Sequence, residues 1–137
     1  MMFFAILILP MGTDVTDEKS VEQAASELMR PFEMWKDEIP VESGHWDYYW
    51  CCSKEWMDES QISYSAYTGI PVDQPLVVFP VEQLSVEGVT DSIVTPRGEW
   101  IRSKSTYVEE DPPWDAKALG VCRSFPGHFG VLAYCHG

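Results

Sequence analysis

The chain has 137 residues, with 22 Asp and Glu against nine Lys and Arg, for a formal net charge of −13. That length predicts one domain over residues 1–137, and 45% apolar with 13% aromatic residues is the composition of a globular core, not of a disordered chain. The acidic surplus argues against direct binding to nucleic acid or to an anionic membrane, because the footprint of either is basic.

The opening run Met1–Leu9, closed by Pro10 and Gly12, reads as a strand buried on both faces. It lacks the preceding Lys or Arg and the following small-x-small site of a signal peptide, and it is too short to span a bilayer. Thr13 to Glu18 carry turn and N-cap chemistry. Val21, Ala24, Ala25, Leu28 and Met29 then recur at helical spacing, which predicts an amphipathic helix from about Asp17 to Met29, stopped by Pro31.

Trp46 to Cys52 is β-prone throughout, with large groups on both faces, and predicts a central or doubly covered strand. Ser53 to Glu59 predicts a helical turn. Ile62, Tyr64 and Ala66 alternate with Ser63, Ser65 and Tyr67, which predicts a strand with one polar face. Leu76 to Phe79, between Pro75 and Pro80, predicts a short buried strand. Ser92–Thr95, Pro96-Arg97-Gly98 and Glu99–Arg102 predict a hairpin, with Gly at the position that needs positive φ. Asp111 and Pro112 suit the N-cap and first turn of a second helix, with Ala118, Leu119, Cys122 and Phe125 facing inward. Val131 to Cys135 predicts a last strand. The element order implies an α+β fold: a single domain with an antiparallel or mixed sheet and two helices on one face, in a ferredoxin-like arrangement.

Four cysteines are too few for a disulfide scaffold at this length, so Cys51, Cys52, Cys122 and Cys135 are expected as reduced thiols in a cytoplasmic protein. A Cys122–Cys135 bridge would need an oxidising compartment. His45, Cys51, Cys52, Cys122, His128, Cys135 and His136 are the candidate metal ligands, but no pair has zinc-site spacing. Cys51-Cys52 and Cys135-His136 are adjacent, so on a strand only one of each pair can face a common site. No nucleophile elbow, HExxH, phosphate loop or dinucleotide fingerprint is present. No cofactor is expected, and the residues favour a non-enzymatic protein. The alternative is a small Cys/His-dependent enzyme or ligand-binding domain, with a pocket joining His45, Cys51 or Cys52 to Cys135 or His136.

Two features point to binding. The aromatic residues Trp35, Trp46, Tyr48, Tyr49, Trp50, Trp56, Trp100 and Trp114 are dense for this length, and Trp and Tyr are the usual anchors of interfaces. The charge also exceeds the magnitude of ~2–8 usual for a small soluble domain. Residues 14–42 hold Asp14, Asp17, Glu18, Glu22, Glu27, Glu33, Asp37, Glu38 and Glu42 against only Lys19, Arg30 and Lys36. Glu109, Glu110 and Asp111 form a second acidic run. Carboxylates spread over one surface complement a basic partner and speed its association.

Short segments carry a resemblance: Leu28-Met29-Arg30-Pro31-Phe32 after the opening strand, His45-Trp46-Asp47-Tyr48-Tyr49, Val94-Thr95-Pro96-Arg97-Gly98-Glu99-Trp100, and Cys135-His136. Their order resembles small phage-associated and bacterial proteins with a WDWY strand, a TPxGxW hairpin and a terminal strand ending in Asp-Cys-His. This chain departs from that pattern at Cys51–Trp56, where the group has Gly-Gly-Arg-Trp, and at Tyr134, where the group has Asp. The resemblance implies a phage or mobile-element setting, with the host cytoplasm as location. Together with the charge, it leads to the expectation of an accessory protein that binds a protein partner with a basic surface, as an inhibitor of a host defence complex or nuclease.

Overall fold

A computed structural model describes residues 1–36, 39–40, 44–104 and 113–137. In chain order they form β1 (Met2–Ile8), α1 (Glu18–Met29), β2 (Trp35–Lys36), β3 (Ile39–Pro40), β4 (Tyr48–Cys51), α2 (Lys54–Glu59), β5 (Val78–Pro80), β6 (Ser92–Val94), β7 (Trp100–Arg102), α3 (Trp114–Arg123) and β8 (Phe129–His136). Short 3-10 turns occupy Arg30–Phe32, Val81–Gln83 and Val86–Gly88. The fold is α+β, built on a mixed six-stranded sheet in the order β4-β8-β1-β6-β7, with β5 also paired to β8. β2 and β3 form a separate two-stranded ribbon.

β1 is the centre of the sheet. It runs antiparallel to β8 along its whole length, from Met2 opposite His136 to Ile8 opposite Gly130, and parallel to β6 on its other side. Its residues Ala5 to Ile8, and Leu9 just beyond it, are buried, as the unbroken apolar run requires. Ala5, Leu7 and Leu9 pack against Val21, Ala25, Leu28 and Met29 of α1. Ile6 and Ile8 face the opposite way, onto a cluster that includes Met57 of α2 and Trp114, Ala118 and Cys122 of α3.

The helices therefore lie on both faces of the sheet, not on one, and this separates the fold from the expected ferredoxin-like arrangement. The physical reason is β1 itself: a strand apolar on both faces needs cover on both.

Local chemistry places α1 as its sequence predicts. Asp17 is the N-cap, and its carboxylate accepts from the Ser20 backbone N–H at 3.2 Å and the Ser20 hydroxyl at 2.6 Å. Pro31 then turns the chain into the 3-10 segment. The hairpin is also as predicted: Gly98 has φ +82°, and Thr95 and Glu99 close the turn through a 2.9 Å backbone bond.

Three expectations change. Residues 62–67 form no strand; Ser63 and Ser65 bond to each other and Tyr67 N–H closes a turn onto the Tyr64 carbonyl, so local bonds replace a ladder. The Trp46–Cys52 segment supplies an edge strand, β4, not a central one. The second predicted helix, α3, starts at Trp114 with Pro113 as its cap; Asp111 and Pro112 lie outside the described residues. Trp114 is buried, and its indole N–H donates to the Thr90 carbonyl at 2.9 Å.

Two glycines differ in what they permit. A Cβ on Gly130 would meet Val81 Cγ1 at 2.7 Å and Ile6 Cγ2 at 3.0 Å, at the point where β8 passes between β1 and β5. A Cβ on Gly120, at an exposed position of α3, meets nothing within 4 Å. Gly130→Ala is expected to destabilise by about 1–3 kcal/mol through overpacking, and Gly120→Ala to stabilise by about 0.5–1 kcal/mol through helix propensity. Urea unfolding midpoints that move in opposite directions would bear this out.

Candidate functional site

β8 presents its backbone groups alternately to its two neighbours. Leu9 N–H donates to the Phe129 carbonyl at 2.8 Å on the β1 side, and Cys52 N–H donates to the Leu132 carbonyl at 2.8 Å on the other. With Tyr48, Tyr49, Trp50 and Cys51 registered against His136, Cys135, Tyr134 and Ala133, alternation places the Tyr48 carbonyl and both backbone groups of Trp50 toward β8, while Tyr48 N–H donates to the Asp47 carboxylate at 2.9 Å. The amides and carbonyls of Tyr49 and Cys51 point outward, away from the sheet. Among the described residues, no strand pairs with β4 on that outer side. At Cys52 the edge passes to β5: Val77 N–H donates to the Cys52 carbonyl at 2.9 Å and Leu132 N–H to the Val77 carbonyl at 3.0 Å.

The start of β4 is bulged. Asp47 N–H donates to the carbonyl of His136, the residue registered against Tyr48, so two residues oppose one. The phase shift sends Trp46 to the α1 side, where its indole N–H donates to the Met29 carbonyl at 2.8 Å and its ring meets Tyr49 edge-on. Tyr48 and Trp50 project to the other face, toward Trp56 and Tyr134. They remain 49% and 37% exposed, with rings 6.2 Å apart and near parallel. Trp56 of α2 and Tyr134 of β8 meet Trp50 at 5.5 and 5.4 Å. An aromatic surface thus borders a strand edge that the described residues leave open at Tyr49 and Cys51, whereas just upstream the Trp46 backbone is bonded to Phe32 and Met34.

The same bulge brings Asp47 to His136. The carboxylate lies 2.6 Å from His136 Nδ1, and this bond holds the Asp47 carboxyl below its usual range. The His136 ring stacks on Tyr48 at 4.8 Å. These partners are 89 residues apart in sequence, and no short motif signals the contact.

Acids line the α1 side of the edge. Glu22, Ser26, Tyr49, Trp50 and Cys51 bound an open groove of about 410 Å³. Glu22 is pushed up, first by partial burial and then by Glu18 one turn away. Both carboxylates are near enough to Cys51 to disfavour its thiolate. Of the other predicted acids, Asp14 bonds to the Thr16 hydroxyl at 2.6 Å and caps a local turn, Asp17 caps α1, and Glu27 accepts from Gln23 at 3.4 Å. Glu33 bridges to Trp46 and, with Ser26 and Arg30, borders a smaller pocket. The described residues supply no Lys or Arg ion-pair partner for these α1-side acids. Asp37, Glu38, Glu109, Glu110 and Asp111 lie outside the described residues.

The predicted Cys/His set is divided between the two faces of the sheet. Cys51 and Cys135 belong to the α1 side of the sheet, Cys52 and Cys122 to the opposite cluster, as strand alternation requires. His136 is with Asp47 at the edge, and His45 stacks on Trp100 at 4.6 Å and leans on Phe32 on the α1 side. Burial raises every thiol, Cys51 and Cys135 to about 12 and Cys122 to about 11, and raises Cys52 as well. All four are free, and the two proposed partners of a bridge, Cys122 and Cys135, are on opposite faces. Among the described residues, no group of three His, Cys, Asp or Glu side chains is placed to hold a metal ion. No helix among them is long and apolar enough to cross a membrane.

The comparisons with known proteins add nothing to this geometry: no family model, no curated protein and no solved structure matches the chain.

Two outcomes test the assignment of these side chains. A thiol reagent at neutral pH is expected to label the native protein slowly and all four cysteines promptly once it is unfolded, because the thiolate is the reactive form. His45 is held below its ordinary value of 6.5 by burial and then by Arg102. The unfolded chain therefore takes up a proton at this residue before the folded chain does. Stability is full above that value and falls as the pH drops below it. In His45→Phe, which keeps a ring against Trp100, the loss of urea midpoint on acidification through the histidine range should be smaller than in the parent.

Proposed function

We propose that this protein is a non-enzymatic binding module that captures a protein partner through a basic surface. The single observation that carries the reading is the adjacency of an edge strand, two exposed aromatic rings and carboxylates that have no Lys or Arg partner among the described residues. Tyr48 and Trp50 offer rigid, amphipathic contact area of the kind that anchors interfaces. Glu18 and Glu22 beside them supply a field that attracts basic partners and repels acidic ones. The Glu27 and Glu33 carboxylates extend that field along α1 and its C-terminal end. Buried, protonated thiols and the division of the Cys/His set between the two faces of the sheet weaken the Cys/His enzyme, so binding is the stronger reading.

The biological setting rests on less. What supports a phage or mobile element is the resemblance carried by the His45–Tyr49 strand, the Val94–Trp100 hairpin and Cys135-His136. Within that setting the module acts in the host cytoplasm, and an inhibitor of a host defence complex or nuclease is the concrete form. A basic groove evolved for phosphates is a natural target for an acidic surface, since spaced carboxylates present the same sign of charge.

The test is capture from a bacterial lysate by the immobilised protein, with Glu18→Gln/Glu22→Gln and Trp50→Ala as controls. A basic protein should be retained by the parent and lost from both variants. It should also elute as salt rises from about 50 mM to about 500 mM, where the screening length falls to a few ångströms. Retention that ignores both the variants and the salt, or no selective retention, would overturn the reading.

A further inference from the structure

We propose that the partner is recognised by strand addition: an extended basic segment pairs with the outer edge of β4, bonding to the backbone of Tyr49 and Cys51. The proposal rests on the binding reading above and deepens it.

Three observations converge on this edge. First, the outward amides and carbonyls of Tyr49 and Cys51 form a two-residue template of the kind an added strand completes. β4 has none of the usual protections of an edge within its span: no Lys, no Pro and no bulge between Tyr48 and Cys51. The bulge at Asp47 precedes this span and leaves it regular. Second, the 410 Å³ groove bounded by Glu22, Ser26 and Tyr49 runs beside the same edge. An added strand presents its side chains alternately to two sides. One set would enter the groove toward Glu22 and Glu18, and the other would lie against the exposed ring of Trp50. Third, charge chooses the occupant. A second copy pairing edge to edge would bring two chains of net charge −13 together and set Glu18 and Glu22 of one against those of the other. A segment with Lys or Arg at alternate positions and apolar side chains between them meets both walls instead.

The probe is a blocked decapeptide of alternating Lys and Val, tested against the full chain by fluorescence anisotropy and by amide exchange. Saturable binding at about 50 mM salt is expected, and the Tyr49 and Cys51 amide protons should exchange at least about tenfold more slowly when the peptide is bound. Glu18→Gln/Glu22→Gln should weaken the peptide by about tenfold, the effect of roughly 1.4 kcal/mol. N-methylation of one alternate set of peptide amides should abolish binding, and N-methylation of the other set should not, because only one set faces β4.

Equal binding by both methylated peptides, or unchanged exchange at Tyr49 and Cys51, would overturn strand addition. So would absence of saturable binding, or a concentration-dependent dimer in sedimentation that the peptide does not dissociate. The two levels fail separately. Lysate capture that needs Glu18, Glu22 and Trp50, without protection of the Tyr49 and Cys51 amides by the captured partner, leaves the binding reading standing and removes the mode.

Discussion

The rest of the structure depends on the double burial of β1. A strand with apolar side chains on both faces cannot lie at an edge or on an open face, because half its surface would remain in water at a cost of about 25 cal/mol for each Å². β1 is accordingly flanked by β8 and β6 and covered by α1 above and α2 and α3 below. Each of these elements then has one apolar face committed to the core. The remaining faces must carry the charge, so the acids of α1 are turned outward by the same stripe that seats Val21, Ala25 and Met29 on the sheet.

The same constraint separates the chemistry-bearing side chains. β8 lies next to β1 and inherits its strict alternation, so Cys135 enters the α1 side while His136 goes to the other. β4 copies the alternation from β8, which parts Cys51 from Cys52. With Cys122 brought to the Cys52 side by α3, the four thiols are divided between two dry layers, and desolvation keeps each one protonated. The dense tract of aromatics is divided in the same way: Trp46 and Tyr49 to one side, Tyr48 and Trp50 to the other.

Much of this was legible in the residues, and the failures have specific causes. Continuous apolar runs identified β1 and β8, helical periodicity identified α1, and Pro-x-Gly identified the β6–β7 hairpin, because each signal is local. The unbroken run of β1 already demanded cover on both faces, so a sheet with helices on one side was inconsistent with it. Residues 62–67 alternate like a strand, but alternation does not supply a pairing partner, and their serines satisfy themselves locally. β4 was misplaced to the centre because large side chains on both faces resemble double burial, whereas Tyr48 and Trp50 are half in water. The site was harder to read. The Asp47 bulge has no sequence mark, and without it the face that Trp46 occupies and the Asp47–His136 contact cannot be deduced.

The charge links the edge to the surface around it. A net −13 spread evenly would serve solubility and nothing else. On α1 the carboxylates of Glu18 and Glu22 stand beside the β4 flank, one of the two edges of the sheet, the other being β7. Free edges are hazardous because they pair indiscriminately, and most proteins blunt them with a residue on the strand itself. Here the strand is left apolar and aromatic, and the blunting charge is carried by the neighbouring helix. Such an arrangement discourages a second copy or any acidic strand, yet leaves the backbone template intact for a basic one. On the proposed reading the acidity is therefore the specificity device as well as the attraction: it excludes the wrong strands by like-charge repulsion and admits the right one by complementarity.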